Sequence, residues 1–255
     1  MPEENNVSIF NKFFEFHLSG ELISSLIVMG IIAILSIIIG ILAIRQNPLK
    51  KPKGLLLLAE IGVKTFDNFA HELVGTTLPN FGGFIMAVAV YLFLSFIIGL
   101  TGLPSPVTYM AIPLSLGLTT FLLIHYTSAR FTKWAYFKRY IDPIPIFLPI
   151  NLISMWAPLL SLTLRLFGNA IAGWALLTIV EYSLRNLSGA IFSFIQSDIN
   201  QVFLAPIPLA ILHAYFDVFS GLIQTFVFIL LTSIFIGQEI PEDIDLNTLE
   251  RRKKS

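Results

Sequence analysis

The chain has 255 residues, of which 55% are hydrophobic and 13% charged, about half the charged share of an ordinary soluble domain. Sixteen basic and sixteen acidic residues cancel, so net charge points to no nucleic-acid partner. Cysteine is absent, which excludes disulfides, thiolate metal sites and thiol catalysis.

No Asp, Glu, Lys or Arg falls within 22–44, 81–129, 143–164, 166–180, 199–216 or 218–238. A membrane-spanning helix needs roughly 20 mostly apolar residues. Four of the six runs reach that length, and a single charge separates each of the others from its neighbour. The expectation is an all-α, polytopic membrane protein in one membrane domain.

Residues 1–21 are polar and are placed outside the bilayer. Residues 22–44 supply the first span. This run starts late, follows Glu3, Glu4, Glu15 and Glu21, and is too long for the apolar region of a signal peptide. A basic, proline-broken loop follows, with Arg45, Pro48, Lys50, Lys51, Pro52 and Lys53.

Residues 55–74 differ in kind. Apolar or small residues at 55, 58, 59, 62, 63, 66, 69, 70 and 73 oppose Glu60, Lys64, Asp67, Asn68 and His71, which is helical periodicity with one charged face. Such a segment lies on a membrane surface rather than crossing it.

Residues 81–129 are punctuated by Gly99-Leu-Thr-Gly-Leu-Pro-Ser-Pro106. Glycine and proline mark turns, so the reading is a hairpin of two spans, 82–99 and 108–127. A second basic loop holds Arg130, Lys133, Lys138 and Arg139, with Trp134, Tyr136 and Tyr140 as interface anchors.

Residues 145–182 and 201–237 are long for ordinary spans. Each would extend roughly 55 Å as a continuous helix, against a hydrocarbon core of about 30 Å. Either both are steeply tilted, or Pro149, Pro158, Pro206 and Pro208 break them. A long, tilted, antiparallel pair kinked near its ends is the favoured reading, and residues 238–255 form a tail.

Thirteen of the sixteen basic residues fall on one side of this topology; Lys12 and Arg185 lie opposite and Arg165 lies within the membrane. Basic loops stay cytoplasmic, which puts the N-terminus outside and the C-terminus inside. Five transmembrane helices plus one amphipathic surface helix satisfy that count.

Arg165 stands in Pro158-Leu-Leu-Ser-Leu-Thr-Leu-Arg165-Leu-Phe-Gly-Asn169. Its guanidinium stays charged in a protein, and placing it at bilayer depth costs about 3 kcal/mol or more. It therefore needs a partner, a wet cavity or both. Asn169 shares its face, and Gly168, Ala172 and Gly173 leave room for close approach of another helix. The second intramembrane charge, Asp217, belongs to a stripe of His213, Asp217, Ser220 and Gln224, spaced 4, 3 and 4. Such groups donate and accept protons in turn. Glu181, Asp198, Asn200 and Gln201 are read as an acidic mouth near the outer end of the pair. The plainer alternative is an Arg165–Asp217 tie that merely joins two helices.

Ser161-Leu-Thr-Leu-Arg165-Leu-Phe-Gly-Asn169-Ala-Ile-Ala-Gly173, with Pro145-Ile-Phe-Leu-Pro-Ile-Asn-Leu-Ile153 upstream and Gly221-Leu-Ile-Gln224-Thr-Phe-Val-Phe downstream, resembles subunit a of F-type ATP synthases. The match in order and spacing covers about 145–236 and is looser over 81–140. The resemblance implies a stator facing a ring of c-subunits, with peripheral-stalk b subunits and the remaining synthase subunits as further partners. It implies that Arg165 attracts a deprotonated ring carboxylate and blocks leakage between two half-channels, with Asn169 and Gln224 beside the path. Two positions depart from the family pattern. Many members carry Glu where this chain has Trp174, and His where it has Asp217. Trp174 has only a donor, so Asp217 is read as the surviving carboxylate and His213, one turn away, as the compensating base. No cofactor or metal and no catalytic site in this chain are expected.

Three other readings compete. A stand-alone secondary transporter usually shows internal repeats, and the sequence shows none. A membrane enzyme would need a motif such as HExxH or GxSxG, and neither occurs. A purely structural anchor leaves Arg165 unexplained.

Overall fold

The computed structural model describes residues 19–46, 51–75, 77–132, 146, 148–192 and 203–241. Residues 1–18, the loop anchors Trp134, Tyr136 and Tyr140, the acidic residues and amides Asp198, Asn200 and Gln201, and the tail beyond 241 lie outside them. Among the described residues every regular element is helical, and five helices are long and apolar enough to cross a membrane.

α1 (Gly20–Arg45) buries only Ser24, Ser25 and Val28. Ser25 Oγ and Tyr91 OH, 2.8 Å apart, tie its N-terminal end to the third helix. Beyond that tie it is greasy all round, with Ile34 60%, Ile37 62% and Ile44 87% exposed. Only a lipid solvent makes such a surface stable.

α2 (Leu55–Val74) starts and stops at Gly54 and Gly75, both at positive φ. Its Lys64–Glu60 ion pair spans one exposed turn. Ala70 and Val74 turn inward, and its last turn is pressed on the final helix. A side chain at Gly237 would meet the Leu73 carbonyl oxygen at 2.3 Å.

α3 (Phe81–Ile97) runs into a 3-10 turn, Ile98–Thr101, and stops at Gly102, φ 82°. Ser105 Oγ donates to the Ser95 carbonyl at 2.7 Å and closes the bend. A second 3-10 turn, Pro106–Thr108, leads into α4 (Ala111–Thr132). α4 packs on the fifth helix through Gly117, where an added Cβ would meet Thr163 Oγ1 at 2.3 Å.

α5 (Leu148–Ile191) is a single 44-residue helix that passes through Pro158. The prolines divide by position. Pro149 stands in the first turn of α5, and Pro206 and Pro208 in the first turn of α6 (Pro206–Gly237), where the missing N–H has no intrahelical partner to lose. Pro158 alone is interior, as membrane helices tolerate.

α6 is α-helical over Pro206–His213, widens into a π-helical stretch at Ala214–Ser220, and resumes as α-helix over Gly221–Gly237. The core forms where α3, α4, α5 and α6 meet, around Ile85, Leu92, Leu162, Leu166, Phe228 and Ile236. Thr120 and Thr232 hydroxyls face each other in it at 3.4 Å.

Candidate functional site

The site begins on α5. Helical periodicity sends Leu162 and Leu166 into the core, 1% and 0% exposed, and turns Leu160 and Leu164 outward, each 54% exposed. Arg165 sits on the border of these faces and is partly buried. Its Nη2 donates to Ser161 Oγ at 3.1 Å, one turn back on the same helix. Among the described residues Arg165 makes no ion pair. The Arg165–Asp217 tie weighed above is not formed; Asp217 pairs with His213.

One turn beyond Arg165, Asn169 Nδ2 donates to Gln224 Oε1 at 2.5 Å and bridges α5 to α6. Gln224 is 4% exposed, and its Nε2 is buried without a hydrogen-bond partner. A buried donor left unpaired costs about 1–3 kcal/mol, so this amide is a standing demand for an acceptor near the arginine.

Asp217 lies in the π-helical stretch of α6. Its Oδ2 is 2.7 Å from His213 Nδ1. Such a pair holds two adjoining proton-binding groups in one hydrogen bond.

A cavity of about 350 Å³ separates α5 and α6 from the bend that follows α3. Asn169, Glu181, His213, Asp217 and Ser220 line it, with Trp174, Thr178, Ser105 and Thr108. It follows α5 from Asn169 to Glu181, roughly 18 Å along the axis at 1.5 Å per residue. Glu181 stands at one end, paired with Arg185 at 2.7 Å, both half-exposed. The other end stops one helical turn short of Arg165.

Five of the seven expected site residues thus share one space. Gln224 adjoins it through Asn169, and Arg165 lies just beyond its inner end. The groups opposite them carry no such signal in the sequence. Ser105 falls in the turn motif and Thr108 at the start of the second hairpin span, and Gly99, which meets Asp217 across the cavity, stands as punctuation. The π-helical stretch leaves no mark in the spacing of α6. Trp174, 58% exposed, forms part of the cavity wall.

The model of the family described as ATP synthase A chain matches residues 23–237. This chain belongs to that family. Members similar to it include the ATP synthase subunit a of Pediococcus pentosaceus, 30% identical over 85% of this chain and 92% of that protein. Those of Mycoplasmoides gallisepticum, 27% identical over 87% and 78%, and Bacillus velezensis, 26% identical over 87% and 93%, are similar over comparable lengths. Membership in the ATP synthase A chain family makes this a multi-pass membrane protein that works among other ATP synthase subunits. The family match reaches from the start of α1 to the end of α6, so it takes in the cavity, the arginine and both helices that hold them.

Proposed function

We propose that this chain is the proton-translocating stator subunit of a rotary ATP synthase, with Arg165 as its charge barrier and the cavity beside it as one half-channel. One observation carries the reading. A permanently charged guanidinium sits at mid-helix, without an acidic partner among the described residues of its own chain, one helical turn beyond a cavity lined by Asn169, Glu181, His213, Asp217 and Ser220.

A charge so placed is stabilised by a counter-charge that arrives from outside the chain. Apolar residues stay about half-exposed on both long helices: Leu160 and Leu164 on α5, close to Arg165 in the chain, and Phe219 and Leu222 on α6. A ring of c-subunits, each with a membrane-buried carboxylate, suits these apolar residues and supplies the charge. Peripheral-stalk b subunits complete the stator.

The cycle moves protons and makes no covalent bond. From outside, a proton passes Glu181, reaches the His213–Asp217 pair, and continues past Ser220, along the wall that the Asn169–Gln224 bridge forms, to a ring carboxylate. The neutral carboxyl then enters lipid without the penalty of a charge. An arriving carboxyl releases its proton to the cytoplasmic side and is held briefly by Arg165. The membrane potential contributes about 2.3 kcal/mol per charge per 100 mV. Asp217 serves where the family pattern has His, and His213 supplies the base that Trp174 cannot.

In the membrane the N-terminus lies outside and the C-terminus in the cytoplasm of a bacterial cell, with α2 on the inner surface and α5 and α6 steeply tilted. Basic loops support the orientation, and the 44 residues of α5 support the tilt. A secondary transporter remains without the internal repeat such folds carry.

The test is Arg165→Ala in the assembled synthase in inverted vesicles. ATP-driven proton pumping is expected to be lost while the complex still assembles. Coupled ATP synthesis at the normal rate in that variant would reject the role.

A further inference from the structure

We propose that Gly99 is a positioning residue for Asp217, its missing side chain setting where the carboxylate stands. The proposal rests on Asp217 being the relay carboxylate.

Gly99 lies in the 3-10 turn Ile98–Thr101, which packs against the π-helical stretch of α6. Glycine is usually required by a backbone at positive φ. Gly54, Gly75 and Gly102 have that conformation, and Gly99 does not. Its backbone admits any L-residue, so the reason for glycine is space.

The space belongs to one group. A Cβ on Gly99 would stand 3.1 Å from Asp217 Oδ2, 3.3 Å from its Cγ and 3.5 Å from its Oδ1. All three nearest atoms are the carboxyl, and Oδ2 is the oxygen bonded to His213 Nδ1. A methyl at position 99 would press on the hydrogen-bonded oxygen itself.

The backbone that carries the carboxyl has little freedom to retreat, because the π-helical stretch is gripped on both flanks. Phe216 lies against Gly173 of α5, with Cδ1 at 3.2 Å from where a side chain would begin. At the other flank Gly221 rests on Phe96 of α3, whose Cβ lies at 2.6 Å from such a position. Two glycine–aromatic contacts fix the widened turn, and Gly99 faces its middle. The turn is wide enough to bring Asp217 against the bend only because the bend offers no Cβ there.

Gly99→Ala should therefore displace the relay while leaving the helices in place. ATP-driven proton pumping per assembled complex is expected to fall at least threefold. Gly83→Ala, where an added Cβ meets nothing within 4 Å, is expected to pump normally. A second measurement separates positioning from packing: thermal dissociation of the purified complex, with and without Gly99→Ala, in the natural and the Asp217→Ala backgrounds. Any loss of stability or assembly caused by Gly99→Ala should disappear once Asp217→Ala removes the carboxyl. Normal pumping in Gly99→Ala would overturn the proposal, and so would an equal loss in both backgrounds. The second measurement does not depend on proton transport. If Asp217→Asn left ATP synthesis intact, the relay reading alone would fall, and the two backgrounds would still decide what Gly99 accommodates.

Discussion

Asn169 on α5 and Gln224 on α6 share a hydrogen bond of 2.5 Å one turn from Arg165, and Gln224 keeps a second, unused donor in the protein interior. The bond ties the two helices beside the arginine, and the spare N–H has no acceptor among the described residues. In the proposed cycle Gln224 shapes the path beside Arg165.

Gln224→Ala should accordingly separate assembly from coupling. Interhelical hydrogen bonds in membranes contribute about 0.6 kcal/mol on average, too little to decide folding. The complex is expected to assemble on native gels while proton pumping falls at least tenfold. Loss of assembly together with function would make the bridge merely structural.

Asp217→Asn keeps the size of the side chain and removes its capacity to carry a proton. ATP synthesis is expected to drop at least tenfold. His213→Ala, which leaves the carboxyl without its 2.7 Å partner, is expected to give a smaller loss. Equal rates for both variants and the natural protein in proton-driven synthesis would remove the pair from the path.

Trp174 lines the same cavity as Asp217, so a carboxyl introduced there can stand in for a missing one. Trp174→Glu is expected to restore part of the pumping lost in Asp217→Asn. The measurement is ATP-driven fluorescence quenching in vesicles, and a double variant no better than the single one would contradict the exchange.

Packing predictions follow from two glycines with opposite surroundings. Gly237→Ala drives a methyl against the Leu73 backbone carbonyl, which cannot rotate away, and overpacking of this kind costs about 1–3 kcal/mol. Gly30→Ala on α1 meets nothing within 4 Å. The first should lower the amount of protein found in membranes and the second should not.

Surface logic is inverted on α1. Ile37 is 62% exposed, a position where a soluble protein accepts lysine. Ile37→Lys is expected to oppose membrane insertion by about 2.5–3.5 kcal/mol, measured as the inserted fraction in a translocation assay.

The spans were legible because lipid leaves helix ends few choices: a charge-free run of the right length has to cross. Arg165 was legible for the same reason, since the medium makes a lone charge conspicuous. The spacing of four between His213 and Asp217 announced their contact on one helix. The bridge from Asn169 to Gln224 is different, because no local spacing relates residues on two helices. The widened turn at Ala214–Ser220 was not legible at all. It is flanked by Phe96 and Gly221 on one side and Gly173 and Phe216 on the other, contacts that tie α6 to helices distant in the chain. Pro158 was ambiguous, since a proline in a membrane helix breaks it only if its neighbours fail to satisfy the freed carbonyl.

Arg165 and Glu181 stand roughly 24 Å apart along α5, with no interruption between them. In the proposed cycle the charge barrier and the rim of the cavity therefore stand on one unbroken helix. A sideways load applied to the guanidinium by a passing partner is delivered along the whole shaft instead of being absorbed by a joint, so the gap between mouth and barrier holds its length under torque.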